Sequence, residues 1–101
     1  MQIVPLQPVP NQLVTINLEE QVCKIAVYDK GGSLFFDLQL NNVPVVVGVL
    51  CENLNALVRS IYLGFSGDFS FLDNEGNSDP EYTGLGTRWD LAYVTAAELE
   101  A

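Results

Sequence analysis

Residues Asp79–Val94, DPEYTGLGTRWDLAYV, join an irregular loop to a regular strand and set the frame for the rest of the chain. The front half cannot be regular structure, because Pro80 lacks a backbone donor and Gly84 and Gly86 favour positive φ. The back half alternates with the period of two that is typical of a strand with one buried face. Its apolar side comprises Trp89, Leu91 and Tyr93. The stretch therefore predicts a shaped loop held on a rigid sheet.

The same alternation recurs through most of the chain and predicts further strands. We expect them at Gln2–Leu6, Leu13–Leu18, Val22–Tyr28, Ser33–Leu40, Val43–Cys51 and Tyr62–Leu72. Polar or glycine-rich breaks separate them at Glu19–Gln21, at Asp29–Gly32 and at Asn41 and Asn42. The pattern predicts one all-β, mainly antiparallel domain over residues 1–101. A small β-barrel and a sandwich of about six to seven strands, with at most one short helix, both fit.

Two segments depart from simple alternation. Val43–Cys51 is apolar on both faces apart from Pro44 and Gly48, which predicts a strand covered on both sides with a bulge at Gly48. In Glu52–Ile61 the apolar residues are spaced as on a helix, and Asn53 is suited to cap its first turn. A short helix and an irregular crossover are both compatible with this segment, because it is short for an independent helix.

The charge balance excludes whole classes of partner. The chain carries 13 carboxylates against 4 cations, a net charge of −9. Such a chain repels nucleic acid, whose binding needs Lys and Arg to neutralise phosphates, and it repels anionic membrane surfaces. We therefore expect neither a nucleic acid nor a membrane as partner.

The cysteines and the chain start bear on the cellular compartment. Cys23 and Cys51 have no zinc-binding spacing and lie in apolar stretches, so we expect two buried free thiols and not a disulfide. The N-terminus has no basic region followed by a long apolar run, as a signal peptide would have. These features favour a protein that is made and kept in a cytoplasm.

Reactive groups are scarce. The chain has no histidine, which removes the commonest general base and metal ligand. A hydrolase would have to use paired carboxylates, for which Asp68, Asp73, Asp79 and Asp90 are the candidates. Residues 73–79, DNEGNSD, alternate oxygen ligands but place glycine wrongly for a calcium loop, so a hairpin tip is preferred. We expect no catalytic residues, no metal and no cofactor.

Arg88 lies where the loop enters the strand and allows two interpretations. It could pair with Asp68 or Asp90 across neighbouring strands, which is a structural role. It could instead bind a carboxylate of a partner protein, a role that arginine suits at interfaces. The sequence leaves both open.

Three motifs together resemble those of the small baseplate plug proteins of contractile-tailed bacteriophages. They are the opening IVPLQPVPNQ, the central Gly64 and Phe65 with Gly67, Asp68 and Phe71, and the stretch DPEYTGLGTRWDLAYV. The resemblance spans nearly the whole chain, and its C-terminal motif is the most specific part. It implies a mostly β structural component of the virion tail, made and assembled in the bacterial cytoplasm, without enzymatic activity.

The resemblance also implies partners and an interface. Baseplate hub proteins and tail-tube or tape-measure proteins are the expected partners, and a homo-oligomer in the assembled tail is a further alternative. The partner-interface candidates are the motif positions Asp79, Pro80, Tyr82, Gly84, Gly86 and Arg88. Surplus apolar residues out of phase with the main core, Phe35, Val46 and Leu50, fit a protein that buries surface in an assembly. A small-ligand-binding β-barrel and a carboxylate-based hydrolase are the alternative functions.

Overall fold

Seven strands form two antiparallel sheets in the part of the chain that the computed structural model describes, residues 2–18, 20–58, 67–95 and 97–98. The strands are β1 Gln2–Val4, β2 Asn11–Leu18, β3 Gln21–Lys30, β4 Ser33–Leu40, β5 Val43–Leu50, β6 Asp68–Asp73 and β7 Trp89–Val94. Strands β2 to β5 form a four-stranded meander, and β1, β7 and β6 form a three-stranded sheet in that order. The all-β prediction is confirmed, and since the sheets do not close into a barrel, the sandwich is the correct alternative.

The meander turns through residues with positive φ. Asn41 and Asn42, at 50° and 68°, form the predicted two-residue hairpin turn between β4 and β5. Gly31 and Gly32, at 66° and 92°, do the same between β3 and β4. Left-handed turns of this kind match the twist of the paired strands. The first turn uses Glu20, at 66°, which explains how a hairpin forms there without the usual turn residues.

The two sheets meet across a core of alternating apolar side chains. An aromatic cluster spans the interface: the ring of Phe36 on β4 lies 5.4 Å from that of Phe69 on β6, which lies 5.5 Å from Tyr93 on β7. All three side chains are buried. Tilted rings at these separations are favourable beyond the area that they bury. The predicted apolar side of β7, Trp89, Leu91 and Tyr93, is buried, and β2, β3 and β4 show the predicted alternation of more and less buried residues.

Strand β5 corrects one prediction. It was expected to be covered on both sides, but it is the edge of the four-stranded sheet, and Val43 and Val47 are largely exposed. The predicted bulge is present: Phe36 pairs with Val49 and the next matched pair is Leu38 with Val46, which leaves two residues opposite one. Gly48 occupies the bulge with a φ of 69°.

The segment after β5 decides between the two alternatives left open by the sequence. Residues 52–58 are not helical, and Leu54 has a φ of 63°, so the irregular crossover is the correct alternative there. The backbone N–H groups of Leu57 and Val58 instead donate to the buried Asp68 carboxylate, at 3.2 and 2.8 Å. The side chains of both residues enter the core. Ile61 and the predicted strand residues 62–66 lie outside the described residues.

Cys23 and Cys51 are buried free thiols, as predicted. Burial raises the pKa of Cys23 to about 11 and that of Cys51 to about 12. Both therefore stay protonated near neutral pH, the unreactive form of cysteine. The described residues also include no helix of the length and apolar character needed to cross a membrane.

The aromatic cluster makes a direct stability prediction. Truncating Phe36→Ala removes the ring that joins the two sheets, and we expect a loss of about 3–5 kcal/mol in the free energy of unfolding. Leu13→Ala, at a position with 69% of its surface exposed, is the control and should change that free energy by about 0.5 kcal/mol or less. Urea denaturation followed by tryptophan fluorescence measures both. Equal losses in the two variants would show that the cluster does not join the sheets.

Candidate partner-binding loop

Residues 74–88 form the loop between β6 and β7, and we refer to them as the clasp loop. Its ends are close together because Asp73 of β6 pairs with Trp89 of β7, and the backbone N–H of Asn74 donates to the carbonyl of Arg88 at 2.7 Å. Residues 73–79 are thus part of a hairpin connection, as the preferred interpretation had it. The loop contains all six partner-interface candidates.

The Asp73 carboxylate organises this loop from inside. Its Oδ1 accepts hydrogen bonds from Arg88 Nε at 2.8 Å and from the backbone N–H of Glu75 at 2.9 Å. Its Oδ2 accepts from Arg88 Nη2 at 2.9 Å and from the backbone N–H of Ser78 at 2.8 Å. The side chain of Asp73 is fully enclosed. One carboxylate thereby fixes both the start and the end of the loop.

These donors also set the charge state of the site. The Arg88 guanidinium, helped by the two backbone N–H groups, holds the pKa of the Asp73 carboxyl well below its usual range. Burial of the carboxyl acts in the opposite direction and raises its pKa, but this effect is weaker than that of Arg88. Two parallel N–H···O bonds between arginine and carboxylate are among the stronger polar contacts in proteins. Asp73 therefore remains ionised at neutral pH and in mildly acidic solution.

Trp89 connects the loop to the core. Its indole Nε1 donates to the carbonyl of Ser78 at 3.0 Å, and the Arg88 guanidinium carbon lies 4.5 Å from the centre of its ring. A cation over an indole face adds electrostatic attraction to the packing. Asn74 Nδ2 donates to Asp90 Oδ2 at 2.9 Å, which adds a side-chain tie across the base of the loop.

Asn53 joins the clasp loop to the crossover. Its side-chain oxygen accepts from the backbone N–H of Asp73 at 3.0 Å, and its own backbone N–H donates to Asp79 Oδ1 at 3.0 Å. The prediction that Asn53 caps a helix is therefore wrong, because its polar groups bind the β6–β7 connection. Sequence reasoning missed this role, since nothing local in the sequence marks a partner so distant along the chain.

Two glycines allow the second half of the loop to pack tightly. Tyr82–Gly84 form a single 3₁₀ turn, and a Cβ at Gly84 would overlap the ring of Trp89. Gly86 has a φ of 83°, and a Cβ there would lie 2.6 Å from the carbonyl oxygen of Leu6. Both positions thus require glycine for close approach, which agrees with the irregular geometry predicted for this half.

The structure divides the six interface candidates by exposure. Asp79 and Gly86 are exposed, Tyr82, Gly84 and Arg88 are half-buried, and Pro80 is buried. Their role as an interface stays a prediction. Arg88 corrects an expectation: its carboxylate partner is Asp73 and neither Asp68 nor Asp90.

Sequence reasoning also missed the role of Asp73. Its position before Asn74 and Glu75 is the signal, because an aspartate that begins a turn commonly accepts the N–H two residues on. The other acids considered for catalysis hold different parts of the fold: Asp68 binds the crossover N–H groups and Asp90 binds Asn74. No group of three or more acids or cysteines among the described residues could hold a metal ion.

An open cleft of about 350 Å³ lies beside the clasp loop. Its walls are residues 32–34 at the β3–β4 turn and the start of β4, residues 50–51 at the end of β5, and residues 78–81 of the loop, which include Asp79 and Pro80. The cleft is a surface feature between loops and not the interior of a barrel. The alternative function, a small-ligand-binding β-barrel, requires a closed barrel, and the two sheets described here do not form one.

Replacing Asp73→Asn should loosen the clasp loop and lower the midpoint of thermal unfolding by several degrees at pH 7. The sign of the pH dependence follows from the lowered pKa. Asp73 contributes stability fully above its unfolded pKa, about 3.8, and loses it as pH falls through the folded value. The difference between wild type and variant should therefore be constant above about pH 5 and shrink below about pH 4.

Thermal unfolding scans across pH 2–8 measure this difference. Glu75→Gln is the matched control, because it removes a carboxylate from the same loop whose side chain accepts none of the loop hydrogen bonds described above. A difference between wild type and Asp73→Asn that grows as the pH falls would contradict the role given to Asp73.

The glycine contacts give a steric prediction. Gly84→Ala should displace the Trp89 ring and change its fluorescence emission, whereas Gly76→Ala should leave the emission unchanged. A Cβ at Gly76 would meet its nearest neighbour, Arg88 Nη2, at an ordinary 3.6 Å. Emission spectra of the folded variants decide this, and identical spectra for both would mean that Gly84 does not contact the indole as described.

Comparison with known protein families gives one match. The family model described as "Cyanophage baseplate Pam3 plug gp18" matches residues 1–97, which include both sheets and the whole clasp loop. No curated protein matches the chain. The match confirms the resemblance drawn from the sequence motifs and supports a structural role in the phage tail. The chain belongs to the cyanophage baseplate Pam3 plug gp18 family, a family of structural phage baseplate proteins.

Proposed function

We propose that this protein packs against the central hub proteins of a phage baseplate and against the tail-tube or tape-measure protein at the end of the tube. Membership of the baseplate plug family is the observation that carries this proposal. In this role the protein packs against neighbouring subunits and is a non-enzymatic structural subunit without a cofactor. It is made and assembled into the tail in the bacterial cytoplasm, and a homo-oligomer in the assembled tail is compatible with the role.

The clasp loop is the surface that we assign to this contact. Binding costs less free energy when the binding surface is already ordered, because fewer side chains and loops lose freedom on association. The hydrogen bonds of Asp73, Asn53 and Trp89 supply such order in the free chain. In this proposal the contact surface is formed by Asp79, Tyr82 and Gly86. The conformation of the loop is maintained by Pro80, Gly84 and Arg88.

The charges of the loop favour a basic partner surface. Arg88 is paired with Asp73, so the charges that the loop presents to solvent are the exposed carboxylates of Glu75, Asp79 and Glu81. Complementary charge raises association rates and selects partners more than it adds affinity. We therefore expect the contacting hub or tube surface to carry lysine or arginine side chains.

A charge reversal in the loop tests this function. Phage that lack the wild-type gene are complemented with Glu81→Lys or with Glu20→Lys, the matched reversal in the β2–β3 turn. Tails are purified, and the protein is quantified against the tail-tube protein by mass spectrometry. We expect Glu81→Lys to lower the incorporated amount severalfold and Glu20→Lys to leave it unchanged.

Two results would contradict the proposal in different ways. Absence of the wild-type protein from purified tails would reject the function itself. Normal incorporation of Glu81→Lys, with wild-type protein present in tails, would reject the acidic loop as the contact surface.

A further inference from the structure

A second surface, on the four-stranded sheet, differs in chemistry from the clasp loop. It is the side of the four-stranded sheet that faces away from the core, and we refer to it as the outer face. Its apolar members include Leu13, Val22, Tyr28, Phe35 and Leu50 by strand register, and the exposed Val47 beside the β5 bulge. Leu13 on one edge strand and Val47 on the other each keep 69% of their surface exposed, so the face is open at both edges. Contiguous exposed apolar patches are typical of interaction sites.

The centre of the outer face is preorganised. The rings of Tyr28 and Phe35 stack at 6.0 Å with an angle of 25° between them. The Tyr28 hydroxyl donates to Asp37 Oδ1 at 2.9 Å, and the backbone N–H of Gly48 donates to the same oxygen at 2.7 Å. The carboxylate of Asp37 thus accepts hydrogen bonds from within the outer face and links β3, β4 and the β5 bulge. A partner therefore meets a flat aromatic surface whose polar group is already satisfied.

The outer face also has the opposite charge from the rest of the chain. It carries Lys24 and Lys30 with Asp37 as its carboxylate, whereas the whole chain has 13 acidic and 4 basic residues. The structure describes no ion pair for either lysine. Carboxylates dominate the clasp loop, so the two surfaces suit partners of opposite charge.

We propose that the outer face binds an apolar surface of a neighbouring baseplate or tail-tube protein that carries carboxylates opposite Lys24 and Lys30. The inference rests on the proposed function and adds a second contact surface to it. Leu13, Val47 and Leu50 supply the apolar contact at the edges, and the Tyr28–Phe35 stack supplies its rigid centre. The protein would thereby join two components, one at each surface.

A second copy of this chain fits the outer face less well. A symmetric contact would set the lysines of one copy against those of the other, and two chains of net charge −9 repel each other at longer range. Addition of a partner strand along β5 is also disfavoured. Pro44 lacks a backbone donor, and the register shifts at Gly48 and between Leu38 and Gln39 interrupt regular pairing.

The test uses the hub protein and the tail-tube protein of the same phage, each purified and titrated separately against the immobilised full chain by biolayer interferometry. We compare Val47→Ser and Lys24→Glu with Leu54→Ser, a control at an exposed leucine on the crossover. For one of the two proteins we expect Val47→Ser and Lys24→Glu each to weaken binding about tenfold. Leu54→Ser should bind like wild type, and raising the salt concentration should weaken wild type more than Lys24→Glu.

Circular dichroism of each variant confirms that the fold is retained before binding is compared. If neither Val47→Ser nor Lys24→Glu weakens the binding of the hub protein or of the tail-tube protein, the outer face is overturned as a contact while the proposed function stays intact. Failure of wild type to bind both proteins would overturn the proposed function as well. Concentration-dependent self-association of wild type in sedimentation, abolished by Val47→Ser, would assign the face to a second copy and overturn the proposal.

Discussion

The arrangement of this protein depends on one enclosed carboxylate. Asp73 ends β6 and accepts four hydrogen bonds, two from the Arg88 guanidinium and two from backbone N–H groups of the loop that follows. An enclosed charge is stable only when it is paired and fully hydrogen-bonded, so its donors have little freedom to move. The long connection between β6 and β7 is consequently a defined surface. Its position on a two-sheet scaffold makes that surface useful to an assembly.

The scaffold carries the two proposed contact surfaces, which differ in chemistry. The clasp loop presents carboxylates above a fixed backbone, and the outer face presents aromatic and aliphatic side chains with two lysines. The core between the sheets is closed by the Phe36, Phe69 and Tyr93 rings, which keep the sheets in a fixed relation. A small protein with two rigid, chemically distinct surfaces is suited to bridge different subunits, and membership of the baseplate plug family is consistent with that use.

Period-two patterning was enough to predict most strands, because each has one buried face. Asn41 and Asn42 marked their turn because few residues adopt left-handed φ without strain. The prediction that β5 is covered on both faces was wrong, because an apolar edge strand has the same composition as a strand buried on both sides. The pattern was ambiguous at residues 52–58, where Leu57 and Val58 are buried by the crossover and not by a helix. The partner of Arg88 was misjudged because it depends on loop closure, which local periodicity does not encode.

The central claim is that the clasp loop is ordered in the free chain, before any partner binds. Amide hydrogen exchange of the isolated protein, followed by nuclear magnetic resonance, tests this most directly. The account predicts that the backbone amides of Glu75 and Ser78, which donate to Asp73, exchange much more slowly than that of the neighbouring Asn77. Exchange of all three amides at the rate of an unfolded peptide, while the strands remain protected, would contradict it.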